Sequence, residues 1–365
     1  MSLGTVYNFS QYSVNIQQLF NISKFQGDIG FMLIIFFLGM GGAAFGRFVE
    51  LNPKRMAIVS TILFSIGMIF MFIATKFEIL PLYYIACSFM GTGTGVGYTC
   101  PIKQLLSNFS DHKGLASGLA ITGFGLGKFV FAPVIEYLLA HFELPYMFLI
   151  LSGIFLIIMS LCSWIYRPNP IYISTIYTAI PYRDLIKSTF LTKRYISVWL
   201  MFCINISCGL ALISQEKSLL LNLGFKEIAI LMSATAVFNI LGRFGMSTAS
   251  DHIGRKAAYH WVCSCGIIAA FLCFTQNPYL ALLGIFMCEF SYGGNFSVLP
   301  SLLSKYFGQS SVSTIHAMTL SGWGLAGIIG PVLANIFTDN SLYLVLGMLY
   351  LAGFIGFTVC VKKQE

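Results

Sequence analysis

The sequence predicts an all-α membrane protein of twelve transmembrane helices arranged as two six-helix halves. Three observations carry that prediction: apolar runs dominate the chain, basic residues sort onto one face, and the second half repeats the first. The 365 residues are 57% hydrophobic and 9% charged, with a mean hydropathy of +0.81. A soluble domain is about 25% charged, so a water-soluble core cannot accommodate this composition. Runs such as 56–75, 195–209, 280–287 and 341–361 hold almost no charge, and several reach the ~20 residues that cross a hydrocarbon core as a helix.

Apolar runs read against Gly, Pro and polar punctuation place helices near 3–20, 29–49, 56–76, 80–105, 114–140, 145–166, 195–219, 226–248, 257–276, 279–303, 313–337 and 341–361. The first span stands apart, because Tyr7, Asn8, Gln11, Asn15, Gln17 and Gln18 make it too polar to face lipid. Tyr7, Gln11, Asn15 and Gln18 recur at three- to four-residue spacing and so share one face. Lipid offers amides no partners, so a short cavity-lining helix, truncated at its start, is expected. No basic start followed by an apolar run opens the chain, and a cleavable signal is not expected. The fourth span carries Gly91, Gly93, Gly95 and Gly97 with Thr94, Tyr98 and Thr99, and the fifth carries Gly123, Gly125 and Gly127. Small residues let helix backbones approach or shift against one another; with no strand before them, they do not form a phosphate-binding loop.

The long connection 167–194 holds Arg167, Arg183, Lys187, Lys193 and Arg194 against the single acid Asp184. It divides the chain into an N-terminal half, 1–166, a linker, 167–194, and a C-terminal half, 195–365. With the spans alternating in direction, fifteen Lys and Arg fall on the face of this linker and four (Lys24, Lys76, Lys217 and Lys226) on the other. The positive-inside rule then puts both termini and the linker in the cytosol or its organellar equivalent. The net charge of +8 is thereby a matter of topology, and a nucleic-acid partner is not expected. The ten cysteines lie in or at the edges of spans, which suits neither a disulfide framework nor a metal cage; the five histidines show no paired spacing.

The halves repeat at nearly one offset. CPIKQLLSNF (100–109) resembles LPSLLSKYF (299–307), with Pro101 and Pro300 separated by 199 residues. GFGLGKFVFAP (123–133) resembles GWGLAGIIGP (322–331), with Gly123 and Gly322 again 199 apart, and GRFVELNPKR (46–55) answers STASDHIGRK (247–256) at 201. Three matches in one order describe a parallel repeat of two six-helix units.

The 46–55 and 247–256 segments are similar to the loop signature of the major facilitator superfamily, an acid followed by a basic cluster between the second and third and the eighth and ninth helices. Asp251, Gly254, Arg255 and Lys256 match it; in the first copy Glu50 stands for the usual Asp, and Leu51 and Pro53 stand where the pattern has a basic residue and Gly. The resemblance implies that Glu50, Arg55, Asp251 and Arg255 gate the cytoplasmic face by charge pairing at helix ends, an effect of about a kcal/mol. GTVYNFSQY (4–12), GTGTGVGYTCP (91–101), DHKGLASGLAITGFGLGK (111–128), NILGRFGMSTASDHIGR (239–255) and SGWGLAGIIGP (321–331) further resemble the oxalate/formate antiporter branch, related to the monocarboxylate transporters.

Two cations stand inside predicted spans. Arg243 cannot deprotonate and must face a cavity or a partner; Asn239, Arg243 and Ser250 share one stripe of the eighth span. The resemblance implies that Arg243 binds the substrate carboxylate, the bland alternative being a snorkelling or structural pair. Lys128 stands mid-way along the fifth span, as a carboxylate partner, a charge that loses its proton, or a mate for Glu136 or Glu289. The resembled oxalate carriers hold a second cation on the eleventh helix, where this chain reads SGWGLAGIIG. Glu289, with Tyr292 a turn later, reads as a proton site or as a counter-ion. The resembled monocarboxylate carriers hold an Asp where this chain has Asn239, which carries no proton charge.

The resulting expectation is a secondary transporter that moves small organic carboxylates, monocarboxylate or dicarboxylate, by antiport or proton coupling. Its expected substrate-binding residues are Arg243, Lys128, Tyr7, Gln11, Tyr98, Asn239, Glu289 and Tyr292. The alternatives are a superfamily carrier of a sugar, nucleoside or drug, and a receptor-like member that does not transport. No nucleophile, base and metal cluster assembles, so an enzyme is not expected, nor is a cofactor. The expected setting is a monomer in a lipid bilayer, with protons as a possible co-substrate.

Overall fold

A computed structural model describes residues 1–108, 113–166, 182–307 and 312–362, and these are helical almost throughout. A 3-10 segment, Ser2–Asn8, leads into α1, Phe9–Phe20. There follow α2 Lys24–Leu51, α3 Pro53–Lys76, α4 Leu80–Asn108, α5 Lys113–His141 and α6 Leu144–Ile165. After the helical turns Tyr182–Leu185 and Ile186–Phe190 come α7 Lys193–Ile213, a short helix Glu216–Asn222, and α8 Ile228–Ile253. The chain closes with α9 Arg255–Phe274, α10 Pro278–Phe307, α11 Val312–Ile336 and α12 Asp339–Lys362. Ten of these helices are long and apolar enough to cross a membrane; α1 and α4 complete the set of twelve.

Local chemistry accounts for the helix starts. Ser23 begins α2 with a capping box, accepting from the Gln26 amide while Gln26 accepts from the Ser23 amide. Asn52 caps α3, and Pro53 takes the first helical position, where a missing N–H costs nothing. Gly254 separates α8 from α9 with φ +85°, a left-handed conformation that other residues adopt only with strain. That requirement gives the glycine of the 247–256 loop a physical reason. The span predicted at 29–49 begins five residues earlier, at Lys24, the one predicted at 226–248 runs on to Ile253, and the predicted span 195–219 is broken. There α7 stops at Ile213, and Ser214 and Gln215 turn the chain into a separate short helix.

Packing follows the helix order. α4 lies against α2 and α3, and α3 against α6; α10 lies against α8 and α9, and α12 against α7 and α9. Two long seams join these groups, α2 with α11 and α5 with α8. The α2–α11 seam runs from the Asp28–Asn335 hydrogen bond of 2.8 Å at one end to Gly46 beside Ala317 at the other. Midway, a Cβ on Gly39 would come within 2.3 Å of the Gly324 nitrogen, so the two backbones meet because neither residue has a side chain. The α5–α8 seam continues from Gly118 beside Phe244 to Ala132 among Ile228 and Met232. Between the seams the side chains at the centre of the bundle are buried.

Candidate functional site

Four charged side chains occupy this centre, and burial explains their arrangement. Arg243 is 0% exposed, Glu216 1%, and Lys128 and Glu289 2% each. A charge taken out of water must be paired and hydrogen-bonded. Lys128, from α5, meets Glu216 Oε2 at 2.5 Å and Glu289 Oε1 at 2.5 Å, and its third N–H donates to Thr235 Oγ1 on α8 at 3.1 Å. The ammonium thus uses all three donors. Thr235 Oγ1 also lies in hydrogen-bond contact with Glu216 Oε1.

Glu289, on α10, accepts at its second oxygen, Oε2, from Asn239 Nδ2 at 2.7 Å. Asn239 Oδ1 accepts in turn from Arg243 Nε at 2.6 Å, one turn further along α8. A continuous line therefore runs Glu216, Lys128, Glu289, Asn239, Arg243. Arg243 has no carboxylate partner among the described residues; Nη1 donates to the Ile121 carbonyl at 3.4 Å, and Nη2 has no hydrogen-bond partner.

An aromatic group receives the guanidinium. Its central carbon stands 5.1 Å from the Phe296 ring centre and 5.9 Å from that of Phe124. Trp323, from α11, packs edge-on against the same two rings, at 4.5 and 5.9 Å, and against Tyr98 at 5.4 Å. Trp323 Nε1 and the Tyr98 hydroxyl lack hydrogen-bond partners, like Arg243 Nη2. Unpartnered buried donors are uncommon in folded proteins. Three donors around one aromatic patch, one of them positively charged, suit an anion with apolar substituents.

The remaining expected residues divide. Tyr7 and Tyr292 join this group through a 2.9 Å hydroxyl contact, and Tyr7 stacks edge-on with Phe124. Gln11 ties the helices instead: Nε2 donates to the Ala132 carbonyl at 3.0 Å, and its backbone carbonyl accepts from Lys217 at 2.8 Å. Glu136, named beside Glu289 as a partner for Lys128, lies exposed two turns further along α5, where it acts on Lys217. Burial holds the Lys217 ammonium below its ordinary range, and Glu136 offsets part of that. At the loop signature, Arg55 and Asp251 are exposed, and Arg255 is half-buried with Nε unpartnered. The side chain of Glu50 lies outside the described residues.

Sequence reasoning missed Glu216, Thr235 and Trp323. Glu216 is one of three consecutive residues that reach different parts of the bundle. Gln215 accepts from Lys24 of α2 at 2.7 Å and donates to the Ala334 carbonyl of α11 at 3.0 Å. Glu216 reaches α5 and α8, and Lys217 reaches α1. The signal available for Glu216 was its position at the end of an apolar run, followed after ten residues by a second one.

The Major Facilitator Superfamily profile matches residues 1–331. The chain belongs to this superfamily. Among its relatives, this superfamily transporter is 25% identical over 334 residues to the uncharacterized MFS-type transporter YhjX of Escherichia coli strain K12, covering 90% of this chain and 83% of that one. It is 24% identical over 351 residues to human monocarboxylate transporter 12, covering 83% of this chain and 67% of that one. With bovine monocarboxylate transporter 13 it shares 25% identity over 333 residues, covering 83% of this chain and 72% of that one. Among solved structures it is similar to the fucose:proton symporter FucP of E. coli, with a TM-score of 0.67 at 13% identity over 98% of this chain and 97% of that one. That likeness establishes the major facilitator fold. The protein is thus a multi-pass integral membrane transporter.

Proposed function

We propose that this transporter carries small organic monocarboxylates, with Arg243 as the group that binds the carboxylate. One observation carries the proposal: Arg243 is fully buried, has no acidic partner among the described residues, and keeps Nη2 unbonded, while Tyr98 and Trp323, packed on the same aromatic rings, also hold spare donors. A carboxylate there receives charge-assisted hydrogen bonds, worth roughly twice a neutral one, while its apolar end lies against Phe124 and Phe296. The kinship with monocarboxylate transporters 12 and 13 supports the same cargo. Lys128 is already held by two acids, which leaves a single cation for cargo and favours one carboxyl group over two.

Transport by alternating access requires the α2–α11 and α5–α8 seams to part at one end while they close at the other. The small-residue contact of Gly39 with Gly324 suits such rocking. At one end the seam is latched by Asp28–Asn335 and Lys24–Gln215. At the other, proposed as the cytosolic face, Asp251 and Arg255 on the 247–256 loop are the proposed gate, with Glu50 and Arg55 on its repeat.

Uptake by the purified protein in lipid vesicles tests the cargo. Labelled lactate should accumulate saturably, with weaker uptake of oxalate and none of fucose. Uptake of fucose without any carboxylate would overturn the proposal.

A further inference from the structure

We infer that His316 is a second contact for the transported carboxylate, on the route between Arg243 and the end of the bundle that carries the 247–256 loop; the inference rests on the carboxylate reading above. The contacts of α11 fix which way this residue faces. Ala317 and Gly324 lie against Gly46 and Gly39 of α2, while Thr319 and Gly322 lie against Tyr195 and Trp199 of α7. Trp323 stands between these two sides and reaches Tyr98, Phe124 and Phe296 at the centre. His316 comes seven residues before Trp323, about 20° short of two full turns, so it lies on the same inward stripe, ~10 Å nearer the start of α11.

Burial and bonding set His316 apart. It is 4% exposed, and its Nε2 has no hydrogen-bond partner. An unpaired buried polar atom costs stability and calls for an explanation; a partner that arrives only during transport supplies one. Nε2 joins Arg243 Nη2, the Tyr98 hydroxyl and Trp323 Nε1 as a fourth unpartnered group facing the centre. Imidazole can present an N–H at Nε2, which a carboxylate oxygen accepts.

The α2–α11 seam gives the contact its timing. Ala317, the next residue, carries the Gly46 contact at the end of this seam, where a Cβ on Gly46 would come within 2.4 Å of the Ala317 Cβ. Between the level of Trp323 and that of His316, Leu320 on α11, Ile102 one turn beyond Tyr98 and Leu299 one turn beyond Phe296 are 0%, 7% and 0% exposed. A carboxylate leaving Arg243 towards this end therefore crosses apolar surface, and His316 supplies the next donor. Parting of the seam at Gly46 and Ala317 uncovers His316 and lets the carboxylate reach it.

Lactate uptake by the full chain in lipid vesicles, measured beside its thermal unfolding in detergent, separates this role from a structural one. His316→Leu fills a similar volume without ring nitrogens. It should slow uptake about tenfold, the loss of one hydrogen bond to a charged group, and leave the unfolding temperature equal to or above the parent's. His316→Gln, which restores an N–H donor, should recover most of the uptake. Solid-state magnetic resonance with the lactate carboxyl carbon and the histidine nitrogens isotope-labelled should show a dipolar coupling between them that His316→Leu removes. Parental uptake in His316→Leu, slowed uptake matched by a lower unfolding temperature in both variants, or no such coupling in the parent overturns the inference while leaving Arg243 as the binding group. Parent vesicles that take up fucose and no carboxylate bring down the carboxylate reading, and this contact with it.

Discussion

Arg243 orients Asn239: the guanidinium Nε donates to Asn239 Oδ1 at 2.6 Å, and the amide turns Nδ2 to Glu289 at 2.7 Å. A neutral side chain thereby joins a fixed cation to a fixed anion, and its neutrality matters.

Asn239→Asp keeps the acceptor for Arg243 but sets a second carboxylate against Glu289. Two such groups in contact cannot both ionise, and the pair's proton affinity rises. The variant should lose lactate uptake by about tenfold at neutral pH, equivalent to ~1.4 kcal/mol. Activity should recover as pH falls, because a proton on the pair removes the added negative charge. A pH profile of uptake that parallels the parent's would show that the two carboxylates do not interact.

The Tyr98 hydroxyl and Trp323 Nε1 have no protein partner at hydrogen-bond geometry, so removing their donors acts chiefly on a bound anion. Tyr98→Phe and Trp323→Phe should each raise KM for lactate about tenfold or more, the roughly 1.5–3 kcal/mol of one hydrogen bond to a charged group, and Tyr98→Phe should leave thermal stability unchanged. A drop in stability with an unaltered KM would make both residues structural.

Lys128 holds two buried acids together. Lys128→Met leaves them unpaired and should cost about 3–5 kcal/mol, as for other broken buried pairs. Adding Glu216→Gln should restore part of the loss, because the two sites are coupled. Thermal unfolding of the single and double variants in detergent checks this, and strictly additive losses would argue against the shared cation. Since Lys128 is held by protein carboxylates, its removal should impair monocarboxylates and dicarboxylates alike.

The helical framework was readable because lipid imposes a simple rule: apolar runs and sorted basic residues define spans whatever their neighbours are. Arg243, Lys128 and Glu289 were conspicuous for the same reason, as charges within apolar sequence. Glu216 was not, because it stands between Gln215 and Lys217 where a span ends, and such a polar cluster reads as an exposed helix terminus. Its burial comes from the break at Ser214 and from partners 88 and 19 residues away, Lys128 and Thr235. Trp323 in a glycine-rich run reads as apolar packing, and only its place beside Phe296 and Tyr98 sets its N–H beside the guanidinium's aromatic group. The choice between Glu136 and Glu289 for Lys128 likewise depends on which way each helix faces.

Lactate uptake by Arg243→Lys and Arg243→Gln in lipid vesicles tests the central claim most directly. Lysine keeps the charge but loses the planar fork, and glutamine loses both. Each variant should fall by about 100-fold or more, roughly the 2.7 kcal/mol of a charged hydrogen bond lost in a buried site. Arg243→Gln transporting lactate at the parental rate would contradict the account.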